Sequence, residues 1–130
     1  MAGTITATLT LAGQGVTSDP IAIAPSTTLN IEEPCVESGS LIAGSGAPGV
    51  TALYTTSTDP SYLYIKNTYI AAAPATAGLE ISLGVTVFAN IKPGQWMWMP
   101  VENGLTIGYQ TEAGSPDDVP FEYAFWAQVP

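Results

Sequence analysis

Carboxylates are the main groups in this sequence that could do acid–base chemistry. Glu32, Glu33 and Glu37 fall in one stretch, and Asp117 adjoins Asp118 in another. Two carboxylates can cleave a glycosidic bond when one donates a proton and the other attacks or activates water. Both groups sit in turn-rich stretches, where adjacent acids are solvated, so no catalytic residue is expected. Asp117-Asp118 could also offer oxygens to calcium, but the spacing fits no calcium-loop signature, and no metal site is expected. Gly44-Ser45-Gly46-Ala47-Pro48-Gly49 matches GxGxxG literally. A phosphate cradle needs a strand before that motif and a helix after it. Pro48 interrupts it and the strand-like Thr51-Ala52-Leu53-Tyr54 follows, so a plain loop is expected.

The missing residue types narrow the function further. The chain has no histidine and no arginine, which removes imidazole proton shuttles, Ser-His-Asp and Cys-His arrangements and bidentate phosphate clamps. Cys35 is the sole cysteine, so no intrachain disulfide is possible. Two lysines stand against eleven acidic residues, for a net charge of −9. That balance argues against nucleic acid and against anionic membranes. No apolar run reaches the 18 residues of a membrane span, and no cationic-then-apolar leader opens the sequence. Only 10% of residues are charged, while 46% are hydrophobic. A non-enzymatic chain without cofactors, with surface covered in an assembly, is the expectation.

Aromatic residues are the remaining candidates. Trp96, Trp98 and Trp126 could stack on sugar rings. Asn103-Gly104 is a strong hairpin signal, because a type I′ turn needs φ > 0 at both central residues. A two-residue loop there predicts that Trp98 faces Tyr109 and Trp96 faces Thr111. Trp96, Trp98, Leu105, Ile107 and Tyr109 then share one face, and Met97, Met99 and Val101 the other. A buried Trp removes roughly 150–250 Å² from water, worth about 4–6 kcal/mol as an upper bound. The Trp96-Trp98 face is therefore expected to be core. Pro93-Gly94 predicts a turn, and Pro100 an edge, bulge or bend.

The rest of the chain must position these residues. Thr4 to Leu11 alternates as a half-buried strand. Ile21 to Ile23 and Thr28 to Ile31 are short strand candidates. Leu41 to Gly49 reads as loop, and Thr51 to Thr55 as strand. Ser61 to Asn67 alternates, with Leu63 and Ile65 opposite Tyr62, Tyr64 and Lys66. Ala71 to Gly78 reads as loop. Leu79 to Leu83 and Val85 to Phe88 are strands joined at Gly84. Gly114 to Pro120 reads as loop. Phe121 to Val129 closes as a strand with Phe121, Tyr123, Phe125 and Ala127 on one face and Glu122, Ala124, Trp126 and Gln128 on the other. No 3.6-residue apolar period appears. These patterns predict one all-β domain over residues 1–130, an antiparallel sandwich or jelly roll of eight to ten short strands. Tyr62, Tyr64 and Trp126 point outward in this reading, as partner-facing aromatics do. Met97 and Met99 are the further interface candidates, since methionine adapts to irregular contacts.

Tyr62-Leu63-Tyr64-Ile65-Lys66-Asn67-Thr68, Leu79-Glu80-Ile81-Ser82-Leu83, Lys92-Pro93-Gly94-Gln95 and Phe121-Glu122-Tyr123 resemble small structural proteins of tailed-bacteriophage virions. The resemblance covers the C-terminal half. It implies a β-sandwich decoration (cement) protein, made in the host cytoplasm and placed on the capsid surface. Its partners would be the major capsid protein and itself, with a trimer as the default. A tail, neck or baseplate component is the alternative within that class. A carbohydrate-binding module using Trp126 and the tyrosines is the alternative outside it.

Overall fold

The structure is a computed structural model that describes residues 2–13, 21–32, 37–45, 49–54, 62–70, 77–102, 105–115 and 117–127. Twelve strands and no helix occur among them. In chain order they are β1 (Ala2–Thr8), β2 (Leu11–Gly13), β3 (Ile21–Ile23), β4 (Ser26–Glu32), β5 (Glu37–Ala43), β6 (Thr51–Tyr54), β7 (Tyr62–Asn67), β8 (Leu79–Leu83), β9 (Thr86–Ile91), β10 (Trp96–Pro100), β11 (Ile107–Thr111) and β12 (Val119–Trp126).

The last eight strands pair in a nested way. β8 pairs β9, β7 pairs β10, β6 pairs β11 and β5 pairs β12, all antiparallel. Such nesting is one long hairpin folded over on itself. Rolling it adds the pairs β7–β12 and β8–β11. The result is two four-stranded sheets, ordered β10-β7-β12-β5 and β6-β11-β8-β9. This is the eight-stranded jelly-roll form of a β-sandwich.

The core lies between the sheets. Leu63, Ile65, Phe121 and Phe125 come from one sheet, and Leu79, Ile81, Ile91 and Ile107 from the other. Each of these eight side chains is buried. Tyr109 and Phe121 bring their ring centroids within 4.8 Å across the gap. Strand β12 alternates without a fault: Phe121, Tyr123 and Phe125 are buried, while Glu122, Ala124 and Trp126 are half-buried. The expected faces of β7 and β12 are the observed ones.

Asn67 ties the sheets together. Its fully buried side-chain amide donates to the Ala77 and Ile91 carbonyls at 2.8 and 2.9 Å. Its carbonyl accepts the Tyr69 N–H at 2.9 Å. The predicted Pro93-Gly94 turn forms beside it, with Gly94 at φ 78° and the Gln95 N–H bonded to the Lys92 carbonyl. Proline presets φ before it, and glycine takes the left-handed position without a Cβ clash.

Two expectations fail here. Leu41 to Ala43 is strand, not loop, because β5 completes the sheet against β12. Its serines and glycine hid that role. Gly39 faces Tyr123, whose ring lies 3.5–3.7 Å from where a Gly39 Cβ would stand. The second failure is the β10–β11 hairpin. The two strands lie in different sheets, so Trp98 faces Tyr64 and Trp96 faces Lys66. Tyr109 and Thr111 face Ile81 and Leu79 instead. Asn103-Gly104 lies outside the described residues. Local turn chemistry proposed a pairing, and the long-range nesting of strands overrode it.

Ahead of the sandwich, the first four strands form a two-stranded ribbon. β1 pairs β4 and β2 pairs β3 in one register, Thr8 opposite Ser26 and Leu11 opposite Ile23. Twelve residues at about 3.4 Å each give a ribbon roughly 40 Å long. Among the described residues it shares no ladder with either sheet.

Candidate interaction surface

Register decides what the outer face of the β10-β7-β12-β5 sheet displays. Met97 opposite Ile65 and Met99 opposite Leu63 point inward, where both methionines pack half-buried on the core. Trp96 and Trp98 therefore point outward, beside Lys66 and Tyr64. The expectation of a Trp core is corrected: Trp96 is 53% exposed. The sequence WMWMP is apolar on both faces, so alternation alone could not choose between them. Pairing with β7 chose, because Leu63 and Ile65 already owned the core side.

Trp126 and Tyr62 face each other across β12 and β7 on the same outer surface. The rings lie over the strands and cover one another. Trp98 stacks on Tyr62 with centroids 5.6 Å apart and planes 12° apart. It meets Trp126 at 5.3 Å with a 43° tilt. Such pairs contribute about 0.5–1.5 kcal/mol beyond the area they bury. This mutual cover explains why Tyr62, Trp98 and Trp126 are half-buried on an outward face.

Tyr64 anchors the centre of the patch. Its hydroxyl donates to Glu122 Oε1 at 2.8 Å. Desolvation, then the bond to Glu122 and its negative charge, push the phenol up from 10.0 to about 12. Each acts the same way, since each disfavours the phenolate form. Tyr64 is thus a neutral donor at any physiological pH.

The ribbon stands over part of this face. Ile5 to Leu9 and Pro25 to Thr27 form one wall of a cleft of about 420 Å³, and Tyr64, Trp96 and Trp98 form the other. Besides the aromatics, the cleft is lined by Thr6, Thr8, Ser26 and Thr27 of the ribbon.

The acidic candidates do not converge on it. Asp118 accepts the Ser45 N–H at 2.7 Å, which holds its carboxyl below the usual range. Asp117 accepts the Tyr69 hydroxyl at 2.5 Å. Each carboxylate already has a protein donor. Among the described residues no three His, Cys, Asp or Glu side chains gather as a metal site. Glu32 and Glu37 fall in β4 and β5, while Glu33 and Cys35 lie outside the described residues. Gly44 and Gly49 lie before strand β6, not before a helix, which removes the context a phosphate loop needs.

Sequence reading placed Tyr62, Tyr64 and Trp126 on this face and missed Trp96, Trp98 and the ribbon wall; Met97 and Met99, also expected at an interface, are instead turned inward onto the core by pairing with Ile65 and Leu63. The pairing of Tyr64 with Trp98 carried the missing information, and no local signal encoded it. No protein-family model matches this chain, and no curated protein sequence matches it significantly.

Proposed function

We propose that this chain is a structural, non-enzymatic virion protein of a tailed bacteriophage, placed on the capsid surface as a decoration protein. It would bind the major capsid protein and further copies of itself, with a trimer as the default. The observation that carries the reading is the outward aromatic face of Tyr62, Tyr64, Trp96, Trp98 and Trp126 on a jelly roll. Jelly rolls recur in capsid and lectin domains. Tyrosine and tryptophan are enriched where proteins meet, since each buries a large area at low entropic cost. Low charge and the absence of histidine and arginine favour packing over chemistry. Mechanically, the protein would bury apolar surface across capsomer boundaries and so resist internal genome pressure.

Quantitative mass spectrometry of purified particles tests this. Hundreds of copies per particle are expected. Tens or fewer would move the protein to a tail, neck or baseplate, and absence from particles ends the reading.

One observation favours a second reading, carbohydrate binding. The cleft brings Trp96 and Trp98 together with the hydroxyl-bearing residues Thr6, Thr8, Ser26 and Thr27 in one lining. A glycan array decides it: binding lost in Trp96→Ala or Trp126→Ala would support the module over the virion protein.

A further inference from the structure

We propose that the cleft between the ribbon and the aromatic face binds a quaternary ammonium group carried on a small molecule, of which choline is the simplest. The inference goes beyond the virion reading and does not depend on it.

Three rings line the cleft: Tyr64, Trp96 and Trp98. The face of an aromatic ring carries negative potential and attracts a cation seated on it, tryptophan most strongly. Trp96 is 53% exposed and makes no ring contact among the described residues, so its π surface is open to a ligand. The other two rings are held before any ligand arrives. Tyr62 and Trp126, which do not line the cleft, pack on Trp98, and Glu122 fixes the Tyr64 hydroxyl. A site ordered in advance loses less freedom on binding. Its volume of about 420 Å³ is that of a small-molecule pocket, roughly 300–1,000 Å³.

Charge selects a cation. No residue lining the cleft is charged, so nothing there repels an ammonium or forces it to shed a fixed counter-ion. The chain's net charge of −9 concentrates small cations at its surface. Glu122 brings one anion close: it accepts the Tyr64 hydroxyl at 2.8 Å, and a phenol that donates to a carboxylate has a more electron-rich ring. Lys66 works the other way. It stands in the same row of the sheet, between Trp96 and Glu122.

The polar groups of the cleft suit a sugar less well. A sugar needs several placed donors and acceptors, and the lining has no amide and no carboxylate. The Thr8 and Ser26 hydroxyls already bond each other at 3.1 Å, and that of Tyr64 is given to Glu122. The methyl groups of a quaternary ammonium need no hydrogen bond. Ile5, Ala7, Leu9 and Pro25 offer them apolar contact.

The test is isothermal titration calorimetry with choline chloride and with its neutral isostere, in which a tert-butyl group replaces the trimethylammonium, at one ionic strength. Choline is expected to bind about tenfold tighter or more. Trp96→Leu keeps an apolar side chain and removes the ring. It is expected to lose about tenfold for choline and little for the isostere. Glu122→Gln keeps an acceptor for Tyr64 and removes the charge, and should weaken choline several-fold. Lys66→Gln should strengthen it by a similar factor, an opposite sign that a damaged fold would not produce. Near-UV circular dichroism checks each variant's packing. Proton–nitrogen spectra locate the ligand: the indole signals of Trp96 and Trp98 are expected to move most. An isostere that binds as tightly as choline, no choline binding up to about 100 mM, or shifts confined to Trp126 would each overturn the proposal. A neutral hexose that binds where choline does not would also overturn it and assign the cleft to carbohydrate.

Discussion

Asn67 shows what one buried amide can hold. All three of its side-chain hydrogen bonds reach backbone groups, two of them at the far sheet's ends. Replacing it with alanine takes a side-chain partner from two carbonyls and an N–H, at about 1–3 kcal/mol for each group left unpaired and out of reach of water. Asn67→Ala should lower unfolding free energy by roughly 2–4 kcal/mol in a urea titration. Tyr64 offers a second test. Its folded-state pKa lies above the unfolded one, so its stabilisation is complete below pH 10 and fades as pH climbs toward about 12. A difference titration at 295 nm, wild type minus Tyr64→Phe, should show one phenol ionising near that upper value. A difference curve centred at pH 10 would contradict the Glu122 bond. The Lys66-Asn67 pair was visible in the sequence as the end of a strand. That its amide bridges two sheets was not, because Ala77 and Ile91 are distant in the chain.

Strands β10 and β11 carry the next lesson. Alternation identified both, and of the edge, bulge or bend that Pro100 signalled, the structure has the edge, since β10 borders its sheet. Alternation could not say which side of WMWMP is inside. The observed register makes a sharp prediction. Trp96→Asp should cost under about 1 kcal/mol in the monomer, as surface changes do, and Met97→Asp several times more, because it forces a charge against the core. Equal costs would restore the Trp-core reading. In β11, Gly108 is the tight spot. A Cβ there would run into Val50 Cγ1 and stand 2.8 Å from Ser82 Oγ and 3.2 Å from the Thr51 carbonyl oxygen. Gly108→Ala should destabilise by about 1–3 kcal/mol through overpacking. Adding Val50→Ala should recover part of that loss, which a double-mutant cycle measures.

At the scale of the molecule, all three tryptophans lie on one outer surface. Their emission therefore reports on a single event. Assembly through this face should shift the emission maximum to the blue, and Trp96→Phe should remove much of the shift, since Trp96 is the most exposed of the three. Association without a spectral change would locate the contact elsewhere. The Lys92–Glu112 pair, 2.6 Å apart, is partly exposed and contributes at most about 1 kcal/mol. Lys92 holds the Glu112 carboxyl below its ordinary value, so that small contribution is lost as pH falls through the lowered pKa.

Period-two alternation, the Pro-Gly turn and the absence of any helical period determined the all-β class from the chain alone, because each is written within a few neighbouring residues. The same local signals oriented β7 and β12 correctly, each having one plainly greasy side. Strand partners, the outward turn of Trp96 and Trp98, and the hidden strand at Glu37–Ala43 were decided only by the tertiary structure. Those features depend on which distant strand lies alongside. The free energy that selects a partner is shared across the whole core rather than stored in any one segment.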